Sequence, residues 1–339
     1  GQIMALGIGI IGLGMAVTPH MLGLRELEAA GRARIIGGHA PSPDRRAAFA
    51  ARWGVPVFES NAALLAAPGL DLVLILAPPG LHLPLAEEAL AAGKHIIVEK
   101  PLELTVARGE ALVAAAQRAG KRAAICFQHR FRPASLALAA RLRAGELGQA
   151  LSASASIRWW RDANYFAQPG RGTMARDGGG VLLTQAIHTM DLLLHLMGPV
   201  RDVAGFAMTS LLRRIDTEDV ATAAIRFESG AIGVIDATSV ARPGFPERIE
   251  IAGSRASAVL VGDRLEWHAA DAPPVILDTG TGGGGGADPM AFDHGPHRAL
   301  IAEMLDAIAE DRPPMHDAAS GLHVQRLIEA WLADARRRA

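Results

Sequence analysis

One cysteine, Cys126, stands in 339 residues, which excludes an internal disulfide framework and a cysteine-rich metal centre and fits a reducing cytoplasm. Net charge is almost absent as well, with 34 basic residues against 35 acidic ones. With no excess of either sign, neither nucleic acid nor a membrane is expected as a partner, and a small neutral or weakly charged ligand is. Aromatic residues make up only 4% of the chain, so a local concentration of them carries information. Residues 4–17 are apolar, but the stretch is short and glycine-rich and no Lys or Arg precedes it, so it reads as a buried strand and turn rather than a signal or spanning segment. What the chain does have is length and apolar content. Half of its residues are hydrophobic, enough for roughly two domains.

The run GIGIIGLGMAVTPH (7–20) fits a phosphate-cradling glycine motif in two registers. Starting at Gly7 leaves almost no strand before the loop and puts Gly12 and Gly14 inside a helix. Starting at Gly12 places a β-like run (5–11) before the loop and a helix-compatible run after it, as a dinucleotide site requires. Gly12 then makes the tight turn and Gly14 lets a pyrophosphate approach the backbone, while Met15 and Ala16 lead into a helix N-terminus with free N–H groups. Val17 stands where Gly or Ala is usual, and Pro19 falls in the first turn, where its missing N–H costs little. By itself the motif also fits an ordinary strand-turn-helix. The next strand (33–38) ends without the carboxylate that would meet a ribose diol. Ala40 holds that place, and Ser42 with Arg45 or Arg46 could receive a 2′-phosphate. The expected cofactor is NADP or NAD, with a lean to NADP; both arginines equally suit the solvated first turn of a helix.

Strands at 70–76, 95–98 and 123–127 alternate with helices at 83–92 and 104–119, which predicts an α/β domain built on a doubly wound parallel sheet. Ligands lie across the carboxyl edge of such sheets, so the residues at strand ends join the cofactor-binding candidates: Ala77, Pro78 and His82, then Glu99 and Lys100, then Gln128. From about residue 149 the pattern changes to longer strands, at 150–161, 203–210, 219–228, 231–239 and 247–252, which predicts a mostly antiparallel sheet. The glycine run within 279–286 lacks a strand-to-helix context and reads as a loop, as do His294 and His297. Residues from about 297 to 336 read as helices broken at Arg312-Pro313-Pro314.

AGKHIIVEKPL (92–102) and DGGGVLLTQAIHTMDLL (177–193) are the most specific pieces, and with them the sequence resembles the Gfo/Idh/MocA oxidoreductase family along nearly its whole length. GLGMAVTPH and the RWWR…GRGT…DGGGVLLTQAIH pattern resemble dihydrodiol dehydrogenases within that family. The resemblance implies an N-terminal Rossmann domain (1–127) and a C-terminal α+β domain (128–339) with a large open sheet, whose last helices can pack back on the first domain. It implies Lys100 as the active-site lysine, often followed by a cis bond to proline, and His188 as the catalytic histidine. Thr184 stands where the family often has Asp; it completes the catalytic set as a hydroxyl that can orient an imidazole but not stabilise imidazolium by charge. The second domain would supply the substrate pocket and the contact of a homodimer or homotetramer. Trp160, Arg161, Tyr165 and Arg171, together with Gln185, are the substrate-binding candidates.

The residues agree with that reading. Thr184 and His188 are four apart on one helix face, and Gly178 to Gly180 leave the start of that helix bare. Alone, His188 would read as a hydrogen-bonded core histidine. His188, Asp191 and His195 also share roughly one face, but further ligands are not evident nearby, and no metal is expected. The expected activity is hydride transfer between NAD(P) and a secondary alcohol of a cyclic polyol, sugar derivative or dihydrodiol. The alternatives are a nicotinamide-sensing regulator without catalysis and a lyase or epimerase that retains its cofactor.

Overall fold

The computed structural model describes residues 4–280 and 293–339. Most of the glycine run, from residue 281 on, lies outside them. Strands β1 (Leu6–Ile11), β2 (Ala33–His39), β3 (Leu70–Ile75), β4 (His95–Val98) and β5 (Ala123–Ile125) alternate with helices α1 (Val17–Ala29), α2 (Pro43–Trp53), α3 (Asn61–Leu65), α4 (His82–Ala91) and α5 (Val106–Ala119). All adjacent strands pair in parallel, in the order β2-β1-β3-β4-β5. Ile8, Ile10, Leu72, Leu74, Ile96 and Ile97 are wholly buried, as strands covered on both faces require. Thr105 and Ser42 cap α5 and α2 through their hydroxyls, and each of these helices ends on a left-handed glycine.

The rest of the chain runs through α6 (Pro133–Arg143), β6 (Ala150–Arg158), the short helices α7 (Ala163–Phe166) and α8 (Met174–Asp177), α9 (Ile187–Met197), seven strands and two final helices. The strands are β7 (Val200–Met208), β8 (Val220–Phe227), β9 (Ile232–Thr238), β10 (Arg248–Gly253), β11 (Ala256–Val261), β12 (Arg264–Ala269) and β13 (Val275–Asp278). The helices are α10 (Gly295–Ala309) and α11 (Leu322–Arg338). One eight-stranded sheet holds all of β6 to β13, in the order β13-β12-β11-β10-β6-β9-β8-β7; only β6 and β9 pair in parallel. That parallel pair arises because α7 to α9 and the β7–β8 hairpin intervene between its strands. Strands β11 to β13 extend the sheet beyond the last strand read from the sequence.

The chain divides into two compact units, Gly1–Gln128 with His294–Leu322, and His129–Asp293 with His323–Ala339. The first unit therefore takes a segment that the sequence assigned to a continuous 128–339 domain. The reason is packing: Leu300, Ile301 and Met304 of α10 are buried, as are Met21 and Leu24 of α1, and the two helices are extensively in contact. Glu26 of α1 also accepts from His294 and Arg298, at 2.5 and 2.9 Å. In the second unit Trp331 and Asp334 of α11 fasten β7, bonding the Phe206 carbonyl (3.1 Å) and the Gly205 N–H (2.9 Å). The segment Met174–Met197 is long and apolar enough to cross a membrane, but 78% of its most apolar window is buried inside the structure.

Candidate active site

In the first unit the strand order reverses direction between β1 and β3, the switch point where α/β sheets receive ligands. Gly12 sits there with φ +101°. A Cβ on it would lie 2.6 Å from the Ala77 nitrogen and from the Leu76 carbonyl carbon, both backbone atoms. Its N–H donates to the His39 carbonyl (2.9 Å), and Leu76 N–H donates to Ile11 (2.7 Å), so the ends of β1, β2 and β3 are laced together. Gly14 differs. A Cβ there would meet only Nη1 of Arg45, at 3.4 Å, so the space over the turn is open. Met15 and Ala16 are exposed, and no side chain caps α1, which leaves its first-turn N–H groups available. An open cradle beside an uncapped helix start fits a dinucleotide pyrophosphate. Val17 is buried, so the branched side chain at the motif's third position is absorbed by the core.

Of the residues expected after β2, Ser42 spends its hydroxyl accepting from Arg45 N–H (3.2 Å). Arg46 is tied to the Ala40 and Pro41 carbonyls and to Glu59. Of these residues, Arg45 is exposed and its guanidinium has no hydrogen-bond or ion-pair partner among the described residues.

His82 is not presented to a ligand. It is buried between the Ala77 carbonyl (2.7 Å) and those of Pro101 and Leu102 (3.0 and 3.1 Å), where it braces the loops after β3 and β4. The Lys100–Pro101 bond is cis. Glu99 accepts from Nε2 of His20 (3.0 Å) and from the Lys100 N–H (3.1 Å). Burial alone would raise its carboxyl; the His20 hydrogen bond and charge, aided by His297 and Lys100, bring it down to about 2. Cys126, wholly buried, lies with His20 and Glu99 in a cluster whose polar atoms fall within 4.8 Å of one another. Burial, then the Glu99 charge, pushes its thiol well up, so it is protonated. Sequence reasoning missed His20; the available signal was its position three residues after Val17, on the face α1 turns to the sheet. Gln128, half-buried, opens a short 3₁₀ turn, Gln128–Phe131, after β5.

In the second unit, His188 is the second residue of α9 and directly follows a π-helical turn, Leu182–Ala186, which holds Thr184 and Gln185. Such turns widen the helix and recur at functional sites. Thr184 donates its hydroxyl to the Gly180 carbonyl at 2.8 Å. The His188 ring stacks on that of His129, with centroids 4.7 Å apart and planes at 21°. His129 is fixed in turn: Arg132 donates to its Nε2 (3.0 Å) and to Glu247 (2.6 Å), all three side chains being buried. Both Asp191 oxygens are held by Arg130, at 2.7 and 2.8 Å. Burial pushes the Asp191 carboxyl up and the guanidinium opposes that. The carboxylate of the His188–Asp191–His195 face thus already has its cation. Burial, then Arg130 and Arg143, lowers His195 to about 4.

The substrate-binding candidates come together in this unit. Arg161 and Arg171 both lie over the Tyr165 ring, 5.1 and 4.7 Å from its centroid. Trp160 lies against two arginines that the sequence reading did not single out, Arg213 (5.1 Å) and Arg242 (4.2 Å). A narrow recess is lined by Tyr165, Phe166, Thr184, Gln185, Glu218 and Ser239 among others. Glu218 accepts from Leu182 N–H (3.1 Å) at the start of the π turn, and burial raises its carboxyl. Arg213, Glu218 and Ser239 come from loops far away in sequence, and no local pattern marks them.

The phosphate cradle at the first unit's switch point fits the dinucleotide of a nicotinamide-dependent dehydrogenase. Known proteins agree. The model of the oxidoreductase family with an NAD-binding Rossmann fold matches residues 6–127, and that of the GFO/IDH/MocA C-terminal domain matches 135–259. The D-apiose dehydrogenase of Paraburkholderia graminis is 29% identical over 96% of this chain and 87% of its own. The uncharacterized oxidoreductase sll0816 of Synechocystis is 32% identical over 78% of this chain and 77% of its own. Among solved structures, the WlbA dehydrogenase of Bordetella pertussis, in complex with NADH and UDP-GlcNAcA, superposes with a TM-score of 0.84 at 27% identity, covering 99% of this chain and 98% of that one. The chain belongs to the Gfo/Idh/MocA oxidoreductase family.

Proposed function

We propose that the enzyme oxidises a secondary alcohol of a cyclic polyol, sugar derivative or dihydrodiol to the ketone, and reduces the ketone in reverse. When bound, NAD(P)⁺ supplies the hydride acceptor. Gly12, Gly14 and the start of α1 hold its pyrophosphate. His188 takes the hydroxyl proton; its Nδ1 is buried, which leaves Nε2 for that task. Lys100 donates to the developing alkoxide, and Thr184 positions the helix turn that carries His188. Arg45 and the missing carboxylate after β2 favour NADP. The outer face of the second unit's sheet, where Phe206, Met208, Ile232 and Val234 are each more than half exposed, pairs with a second copy of the chain.

The observation that carries the reading is the open space over Gly14 beside an uncapped helix. Its test is titration of the purified protein with NADH and NADPH, following energy transfer from tryptophan, and then turnover on polyols and dihydrodiols. Saturable binding and net reduction of the cofactor are expected. A folded protein that binds neither dinucleotide overturns it, and sedimentation as a monomer overturns the pairing.

A further inference from the structure

The second unit buries more guanidinium than it neutralises. Arg161 lies three residues after the end of β6 and is only 6% exposed, yet no carboxylate lies within 4 Å of it among the described residues. Its Nε and Nη1 are buried without a hydrogen-bond partner, and its charge rests on the faces of Tyr165 and Trp159. Arg213 repeats the pattern half-buried: it stacks on Trp160 and Phe166, donates to the Arg161 carbonyl, and leaves Nε unpartnered. Arg171 donates to Gln168 Oε1 (2.9 Å) and makes a loose ion pair with Asp177, at 3.6 Å, but its Nε too has no hydrogen-bond partner.

The acids around them are engaged elsewhere. Asp219 accepts from Ser210 N–H and Oγ, both at 2.7 Å. Asp177 accepts from Gly172 N–H, and Asp162 caps α7 through Tyr165 N–H. Glu218 is turned to the start of the π turn. Burying a cation with donors unmet costs several kcal/mol in general, so such a group is retained where something completes it. Burial pushes the Arg161 guanidinium below its usual range, with Tyr165 opposing and Arg171 adding to the fall. In the adjoining recess Gln185, 4% exposed, and Ser239, 1% exposed, present Oε1 and Oγ that also lack partners.

We propose that the substrate carries a carboxylate, which Arg161 and Arg213 receive, while its hydroxyls complete Gln185 and Ser239. This rests on the dehydrogenase reading and names its substrate class: an acidic secondary alcohol, with Tyr165 and Trp160 as the wall of the site. A planar fork of N–H donors matches a carboxylate.

The test uses the whole protein and matched probes, glucuronate against glucose and quinate against myo-inositol. Turnover is read as cofactor reduction, and binding is read separately by calorimetry with NADH present. Charge-assisted hydrogen bonds predict an advantage of at least about tenfold for the acid of each pair, in binding and in kcat/KM. Arg161→Met should shrink that ratio to within about twofold, and Arg213→Met gives the same reading if the first variant does not fold. Acid-selective binding without turnover keeps the site and overturns the dehydrogenase chemistry. Turnover of the neutral probes with no advantage for the acids does the reverse. Absence of acid-selective binding, or stronger competition by inorganic phosphate than by glucuronate, overturns the carboxylate site.

Discussion

Two glycines of one motif should fail in different ways. At Gly14 an added methyl meets only the flexible end of Arg45, at 3.4 Å, and φ is not in the left-handed region. Removing a glycine stiffens the unfolded chain, worth about 0.4–1 kcal/mol where the native backbone accepts the change. Gly14→Ala should therefore keep its stability within about 1 kcal/mol of the parent. Its methyl, however, fills the space that a pyrophosphate needs over the α1 N–H groups. Losing one or two charge-assisted hydrogen bonds at about 1.5 kcal/mol each weakens NADH binding by roughly ten- to a hundredfold. At Gly12 the same methyl lies 2.6 Å from the backbone at Leu76 and Ala77, with φ at +101°. Strain of about 1–3 kcal/mol and overpacking of similar size should cost Gly12→Ala roughly 2–6 kcal/mol, and dinucleotide binding with it. Urea unfolding read by tryptophan fluorescence gives the first quantity, and titration with NADH gives the second. A Gly14→Ala protein that binds NADH like the parent, or a Gly12→Ala protein of parental stability, refutes the register and the cradle.

Other groups give equally direct outcomes. His297 is buried, and its desolvation, with His20 and His294 adding and Glu99 opposing, lowers it to about 3. The unfolded chain takes up that proton near pH 6.5 and the folded chain does not until about 3, so stability falls as acid is added across that window. His297→Gln should flatten the pH dependence of the urea midpoint between pH about 6.5 and 4; an unchanged slope excludes His297 as its source. His95 and His195, each lowered to about 4, act in the same direction. Arg130→Met leaves Asp191 buried and unpaired and should cost about 3–5 kcal/mol, most of it regained in Arg130→Met/Asp191→Leu; equal losses in both variants would show that the pair itself is the stabilising element. Arg45→Ala should weaken NADPH more than NADH in the same titration, and equal losses place Arg45 on a phosphate common to both.

The first unit was legible because its signals are local. The glycine register, the apolar strands and the polar residues at their carboxyl ends each occupy a few consecutive positions, and the parallel sheet follows from them. The long-range part came from the resemblance, which allowed the last helices to pack back on the first domain: α10 joins this unit through apolar side chains whose partner on α1 lies more than 250 residues earlier, which no local pattern specifies. Spacing marked His82 as a ligand residue because it follows a strand end. The Ala77 carbonyl of its own loop and two carbonyls, of Pro101 and Leu102, brought in from the next strand's loop make it a brace instead. In the second unit Arg161, Tyr165 and Arg171 stood out by composition within one stretch, while Arg213 and Ser239 arrive on neighbouring strands and loops, which strand periodicity cannot anticipate. The π turn leaves no periodic trace either, since one wider turn inside an apolar helix does not disturb a pattern read over several.

As neighbours of His188, His129 and Thr184 offer something different from a carboxylate. A guanidinium can only donate, so the Arg132 bond fixes Nε2 of His129 as the acceptor and puts that ring's proton on Nδ1. His129 is then a neutral ring stacked on His188, held by a cation that Glu247 balances. On the helix, the hydroxyl proton of Thr184 is committed to the Gly180 carbonyl, so toward an imidazole it could offer only lone pairs. Neither neighbour brings negative charge to the histidine. On the proposed function, the charges that would meet an acidic substrate lie on the arginines beside Tyr165 and Trp160. Arg161, buried ahead of any ligand, would then select the substrate separately from the imidazole that takes its proton.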